Sequence, residues 1–211
     1  MERNPTNPTK ERIIHTAYTL FQQRGYNKVT VNDICNACGI TKTTFYYHLR
    51  SKEDTVVDFY DSVTTGLADR MIDFINAENH WEQLMICFET LIQSSERIGA
   101  DLTGQILIMN IKEDKGTYDF NEDLTRMAVA LIEKAQEAGQ IRNQSPAESL
   151  YRASAYAFLG YETKWCIKKT GFNRIELVRR ALENIYDVEP SLRRDSKARR
   201  ENQPDGFLRL P

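Results

Sequence analysis

Six neighbouring side chains, Lys42, Thr43, Thr44, Tyr46, Tyr47 and His48, bring donors, acceptors and flat rings to one short stretch. Their lengths suit base edges and phosphates rather than bond-breaking chemistry. Lysine donates to guanine acceptors, and threonine offers a methyl to thymine as well as a hydroxyl. Lys42, Thr43, Thr44 and Tyr46 are therefore expected at base edges. Thr30, Thr41, Tyr47, His48 and Lys52 are expected at phosphates, with His48 alternatively packing beneath its helix.

Two short helices must position these groups. Thr30 with Asp33 forms a T-x-x-D start signal, in which hydroxyl and carboxylate each answer a backbone N–H. The helix so opened turns Ile34 and Ala37 inward and reaches Gly39, a residue free to take the left-handed backbone of a tight turn. Thr41 starts the second helix, with Phe45 and Leu49 as its buried side. Ser51 with Asp54 is a further capping signal. A phosphate beside Lys52 would meet both an ammonium and open helix N–H groups. The arrangement is a helix-turn-helix with its polar face shaped for a DNA major groove.

From Lys10 to Tyr60 the chain resembles the N-terminal domain of the TetR family of bacterial transcription regulators. The words that carry the likeness are ERIIHTAYTLFQQRGYNKVTVNDIC, ACGITKTTFYYHL and SKEDTV. The resemblance implies a homodimer on a palindromic operator, repressing until a small molecule enters the C-terminal domain.

Composition agrees. The chain has 211 residues, 41% hydrophobic and 27% charged, enough to bury a substantial core. No apolar run approaches a membrane span, and the first residues lack a signal-peptide core, so a cytoplasmic location without membrane attachment is expected. The net charge of −2 hides an asymmetry: residues 1–55 hold eight Lys and Arg against five acids. A basic head on an acidic body suits a polyanion at the head.

The four cysteines are Cys35, Cys38, Cys87 and Cys166. Cys35-x-x-Cys38 has the spacing of half a zinc site or a redox pair, but no second close pair completes four ligands. Two small buried apolar residues is the plainer reading, and no metal or cofactor is implied. The three histidines lie far apart in sequence, and no nucleophile–base arrangement, phosphate loop or HExxH occurs, so an enzyme is not expected.

Periodicity predicts an all-α chain of about nine helices and no sheet. Residues 1–55 form the three-helix DNA-binding domain: a loose arm over 1–8, a bracing helix from Thr9 to Gly25, then the helix-turn-helix, with Tyr26 and Val29 closing the core. Residues 56–189 form the helical effector-binding and dimerisation domain, and 190–211 a disordered basic tail. A long helix from Lys52 to about Asn76 is the expected lever. Helices follow at His80–Gln93, at Leu102–Ile111 (buried in the middle of a bundle), and at Asn121–Ala138. Two more run from a Ser145-Pro146-Ala147-Glu148 start to about Lys169, and from an Asn173 cap through Tyr186. Gly139 and Gly171 are the expected stops. The last two helices supply the dimer interface through Tyr151, Ala155, Phe158, Leu159, Val178, Leu182 and Ile185. Trp81, Phe88, Met109, Phe120, Met127, Tyr156, Tyr161 and Trp165 are expected to line a cavity for an apolar or aromatic effector. Tyr118 stands beside them as a further aromatic. The alternative is a body that engages a protein partner or acts as a co-activator.

Overall fold

The computed structural model describes residues 7–57, 70–119, 122–169, 171 and 173–193. These residues are helical throughout, with one isolated bridge, Ile141 to Val188, and no strand among them. They form two compact units.

The first unit holds the described residues up to 57 together with Ser94–Tyr118. Helix α1 (Pro8–Arg24) opens on Asn7, whose side chain accepts from the amides of Thr9 and Lys10, with proline at the first helical position. It ends at Gly25 and passes through a 3-10 turn at Tyr26–Lys28 into α2 (Val31–Cys38), α3 (Lys42–His48) and α4 (52–57). Ile13, Ala17, Phe21, Ile34, Phe45 and Leu49 meet in its core, which Tyr26 and Val29 close. Ala37 does not join them; it faces solvent, and Cys35 takes the inward place beside Ile34.

That core is larger than the head read from the sequence. The end of α6 (His80–Ile98) and α7 (Ala100–Lys112) contribute Ile98, Leu102, Ile106 and Met109 to it. Tyr18 of α1 donates to the Arg97 carbonyl at 2.6 Å, and Gln22 to that of Ile98 at 2.9 Å. Helix α6 outruns its expected end at Gln93 because the stop is Gly99, at φ 89°. Helix α7 is also not buried all round: Ile108 and Ile111 are 44% and 83% exposed.

The second unit holds the described residues from 70 to Gln93 and from Asp119 onward. It contains α5 (Met71–Asn76), the first part of α6, α8 (Glu122–Glu137), α9 (Ala147–Lys168) and α10 (Arg174–Ile185). Its core is Trp81, Leu84, Ile92, Ile132, Leu182 and Tyr186 with their neighbours. The Tyr186 hydroxyl lies 2.7 Å from that of Ser154. Three cationic pairings are also built in. Arg174, 2% exposed, pairs with Glu162 and lies 3.7 Å over the Trp165 ring. Arg179, 4% exposed, bonds Glu82 through both nitrogens at 3.1 Å and Glu89 at 3.2 Å. Arg180 bonds Glu176 one turn back.

Two expected helix ends differ. Pro146 rather than Ser145 stands at the N-cap of α9, without a side-chain cap; the Ser145 amide is held by Asn143, and Glu148 pairs with Arg152. Lys169 rather than Gly171 is the left-handed residue that closes α9, at φ 63°. Asn173 caps α10 as expected. Of the expected lever, 52–57 and Met71–Asn76 are helical and 58–69 lie outside the described residues, as do 1–6 of the arm and 194–211 of the tail.

Candidate nucleic-acid interface

Local chemistry sets the geometry of the head. Thr30 Oγ1 accepts from the Asp33 amide at 3.2 Å, and Asp33 returns a carboxylate oxygen to the Thr30 amide at 2.8 Å. That reciprocal cap stabilises α2 by about 1 kcal/mol. The Thr30 hydroxyl and amide hold the Asp33 carboxyl below the usual range. Gly39 sits at φ 64°, ψ 37°, the left-handed conformation that reverses the chain. Thr41 caps α3 by accepting from the Thr44 amide at 3.1 Å, and its hydroxyl lies 2.9 Å from that of Thr44. Asp54 accepts from the Arg50 amide at 2.8 Å while its own amide donates to Ser51. The expected box at Ser51 is thus half formed, its return arm shifted to the residue before.

Phe45 and Leu49 are 0% and 3% exposed, which fixes the roll of α3. The opposite side then carries Thr41, Lys42 and Thr43 in solvent, with Tyr46 53% and Tyr47 82% exposed. Thr44 and His48 are half-buried at the margin, and the His48 ring meets that of Tyr47 edge-on at 4.9 Å. Seven of the nine expected DNA contacts thus lie along the exposed side or margin of α3, and Thr30 is exposed at the start of α2. The ninth, Lys52, is turned inward: its Nζ donates to the carbonyls of Tyr26 and Val29, each at 3.1 Å.

An open cleft of about 730 Å³ lies in the same unit, lined by Lys10, His48, Arg50, Asp54, Lys112 and Lys115 among others. Sequence reading passed over Arg50, Lys112 and Lys115, because a lone basic residue in a polar stretch carries no signal of its neighbours.

Among the described residues, those expected to line an effector cavity do not line one together, although Trp81, Phe88 and Tyr161 share the core of the second unit. Trp81 and Phe88 are packed in the core of the second unit, at 0% and 4% exposure, whereas Met109 belongs to the core of the first. Tyr156 is 63% exposed. Met127, Tyr161 and Trp165 are half-buried, and Phe120 lies outside the described residues. An open cleft of about 480 Å³ in the second unit is lined by Glu78, Glu82, Ile86 and Leu192 with four neighbours, none of them from that set.

On the expected dimer surface, Val178 and Leu182 turn into the core of their own unit at 1% and 0% exposure, because α10 lies against α9 through them. Tyr151, Phe158 and Ile185 are half-buried against that core; Ala155 and Leu159 are half-buried. The outward side of α9 is instead Ala153, Tyr156, Gly160 and Ile167.

Among the described residues no helix is long and apolar enough to cross a membrane. Residues 13–57 match the model of the bacterial regulatory proteins, tetR family. The regulator YerO of Bacillus subtilis is 47% identical over 47 residues, 22% of this chain and 16% of its own length. YuxN of the same organism, also an HTH-type transcriptional regulator, is 26% identical over 184 residues, 85% of this chain and 57% of its own length. The chain thus spans less than two thirds of either relative. The crystal structure of Thermus thermophilus FadR, a TetR family repressor in complex with lauroyl-CoA, shares the fold at TM-score 0.68 and 21% identity, over 88% of this chain and 96% of that one. Residues 13–57 thus carry the DNA-binding domain of the TetR family of bacterial transcription regulators, and the chain shares the fold of a solved TetR family repressor.

Proposed function

We propose that this protein is a homodimeric repressor that binds a palindromic DNA operator through α3 and is released by a small apolar or aromatic effector. The observation that carries the reading is the exposed face of α3. Two tyrosines, a lysine and a threonine stand in water on a helix whose other side is locked by Phe45 and Leu49. Lys42, Thr43, Thr44 and Tyr46 meet base edges; Thr30, Thr41, Tyr47 and His48 meet phosphates.

One such helix reads only a few base pairs, so the head, residues 1–55, needs a second copy about 34–36 Å away. The outward side of α9 supports that pairing: Ala153 and Gly160 let a partner helix approach, and Tyr156 and Ile167 give it apolar surface. The body, residues 56–189, holds the effector. The lauroyl-CoA held by Thermus thermophilus FadR is one example of a ligand with a long apolar portion. Release follows when the ligand favours a dimer whose heads no longer match the operator spacing. No catalytic step is part of this reading.

A second reading gives the body a protein partner or a co-activating role. Two observations favour it: the seven described residues of the expected cavity do not line one cleft, and α5 exposes Met71, Ile72 and Ile75 at 48%, 74% and 68%.

Selection from random duplex DNA tests the main reading. A two-fold symmetric site is expected, and Lys42→Ala should change which base is preferred at one position of each half-site, at about 1–3 kcal/mol. Recovery of no enriched sequence would sink the proposal.

A further inference from the structure

A lysine ammonium has three N–H donors, and Lys52 commits two of them within the first unit. Nζ donates to the Tyr26 and Val29 carbonyls, each at 3.1 Å, and lies 3.9 Å from the centre of the Tyr26 ring. The next residue grips the same tyrosine: the Tyr26 hydroxyl donates to Glu53 at 2.9 Å. Tyr26 is 8% exposed and its ring packs 5.1 Å from that of Phe21 on α1. Tyr26 and Val29 flank the 3-10 turn that leads directly into Thr30, the N-cap of α2. The Tyr26 carbonyl also accepts from the Val29 amide at 3.3 Å, and Lys52 adds a charged donor to it and to the Val29 carbonyl.

We infer that Lys52 is a positioning residue that, with Glu53, fastens the first turn of α4 to Tyr26 and so fixes the entry of the helix-turn-helix. It is not the phosphate contact that its place in the sequence suggests. A phosphate would compete for this ammonium with two carbonyls and the ring already beside it. The inference rests on the DNA-binding reading above for its effect on affinity, but the clasp itself is a property of the free protein.

Two variants of the full chain separate the roles. Lys52→Met keeps the stem and removes the donors. Lys52→Arg keeps the charge, but its planar fork cannot reach two carbonyls and a ring together. The clasp predicts a lower urea midpoint for both. It also predicts that Lys52→Met combined with Tyr26→Leu loses less than the two single losses added together. On the selected duplex, Lys52→Met should weaken binding about tenfold or more at one salt concentration. The slope of log Kobs against log salt should stay that of the unaltered protein. A slope shallower by about one, or additive midpoint losses, or a Lys52→Arg protein with unaltered midpoint, would overturn the inference. The denaturation measurements need no DNA, so a protein that binds no duplex tells against the proposed function alone.

Discussion

Cys35 on α2 and Lys42 at the start of α3 are seven positions apart in the head, yet chemistry gives them opposite roles. Lys42 stands in solvent with its charge available. Cys35 is 4% exposed, and burial pushes its thiol up; the neighbouring Cys38 adds to the rise and Lys42 opposes it. A thiol held protonated is a poor nucleophile toward peroxide. Operator affinity is therefore expected to be unchanged after peroxide treatment, and equal in Cys35→Ala/Cys38→Ala, as fluorescence anisotropy would record. Lys52 marks how far residue type alone can mislead. As a lysine at a helix start it reads as a phosphate ligand, because its true partners are carbonyls 23 and 26 positions earlier in the chain. Backbone acceptors carry no residue type, so no spacing rule points to them.

At the scale of the elements, what is local was legible. The Thr30–Asp33 cap, the left-handed Gly39, the Thr41 cap and the inward Phe45 and Leu49 all follow from side chains within four positions of one another. Gly39 gives the sharpest test. A Cβ there would meet nothing within 4 Å, so any cost of Gly39→Ala comes from the positive φ alone. About 1 kcal/mol of stability should be lost in urea unfolding, and Gly39→Asn should lose less, because asparagine tolerates this conformation. What is not local was illegible. The stripe Leu102, Ile106 and Met109 announces a buried face on α7 but not what covers it, and it packs with α1 and the head. Dispersed aromatics likewise suggested one cavity, whereas Trp81 and Phe88 fill the core of the second unit and Met109 that of the first. Apolar side chains look alike in sequence whether they touch a ligand or each other.

At the scale of the whole molecule, pairing of two chains is, on the proposed reading, the step on which affinity depends. The glycine on the outward side of α9 offers a clean probe, since a Cβ at Gly160 would meet nothing within 4 Å. Gly160→Glu should leave the helical circular dichroism and the single-chain fold intact while burying like charges across a two-fold axis. Light scattering is then expected to report half the mass of the unaltered protein. Operator binding should fall by more than tenfold, because two linked half-sites become two weak ones. Unchanged mass would mean that α9 does not form the interface.

The Glu82–Arg179–Glu89 trio carries an evolutionary consequence. Losing the arginine alone would leave Glu82 without this partner and Glu89 with only the longer Arg70 pair at 3.8 Å, and losing either acid would leave a buried guanidinium half compensated. Each single step is a descent, while a joint replacement by apolar residues is not. Positions 82, 89 and 179 are therefore bound to a common fate, and among descendants of this chain they should be inherited, or abandoned, as one.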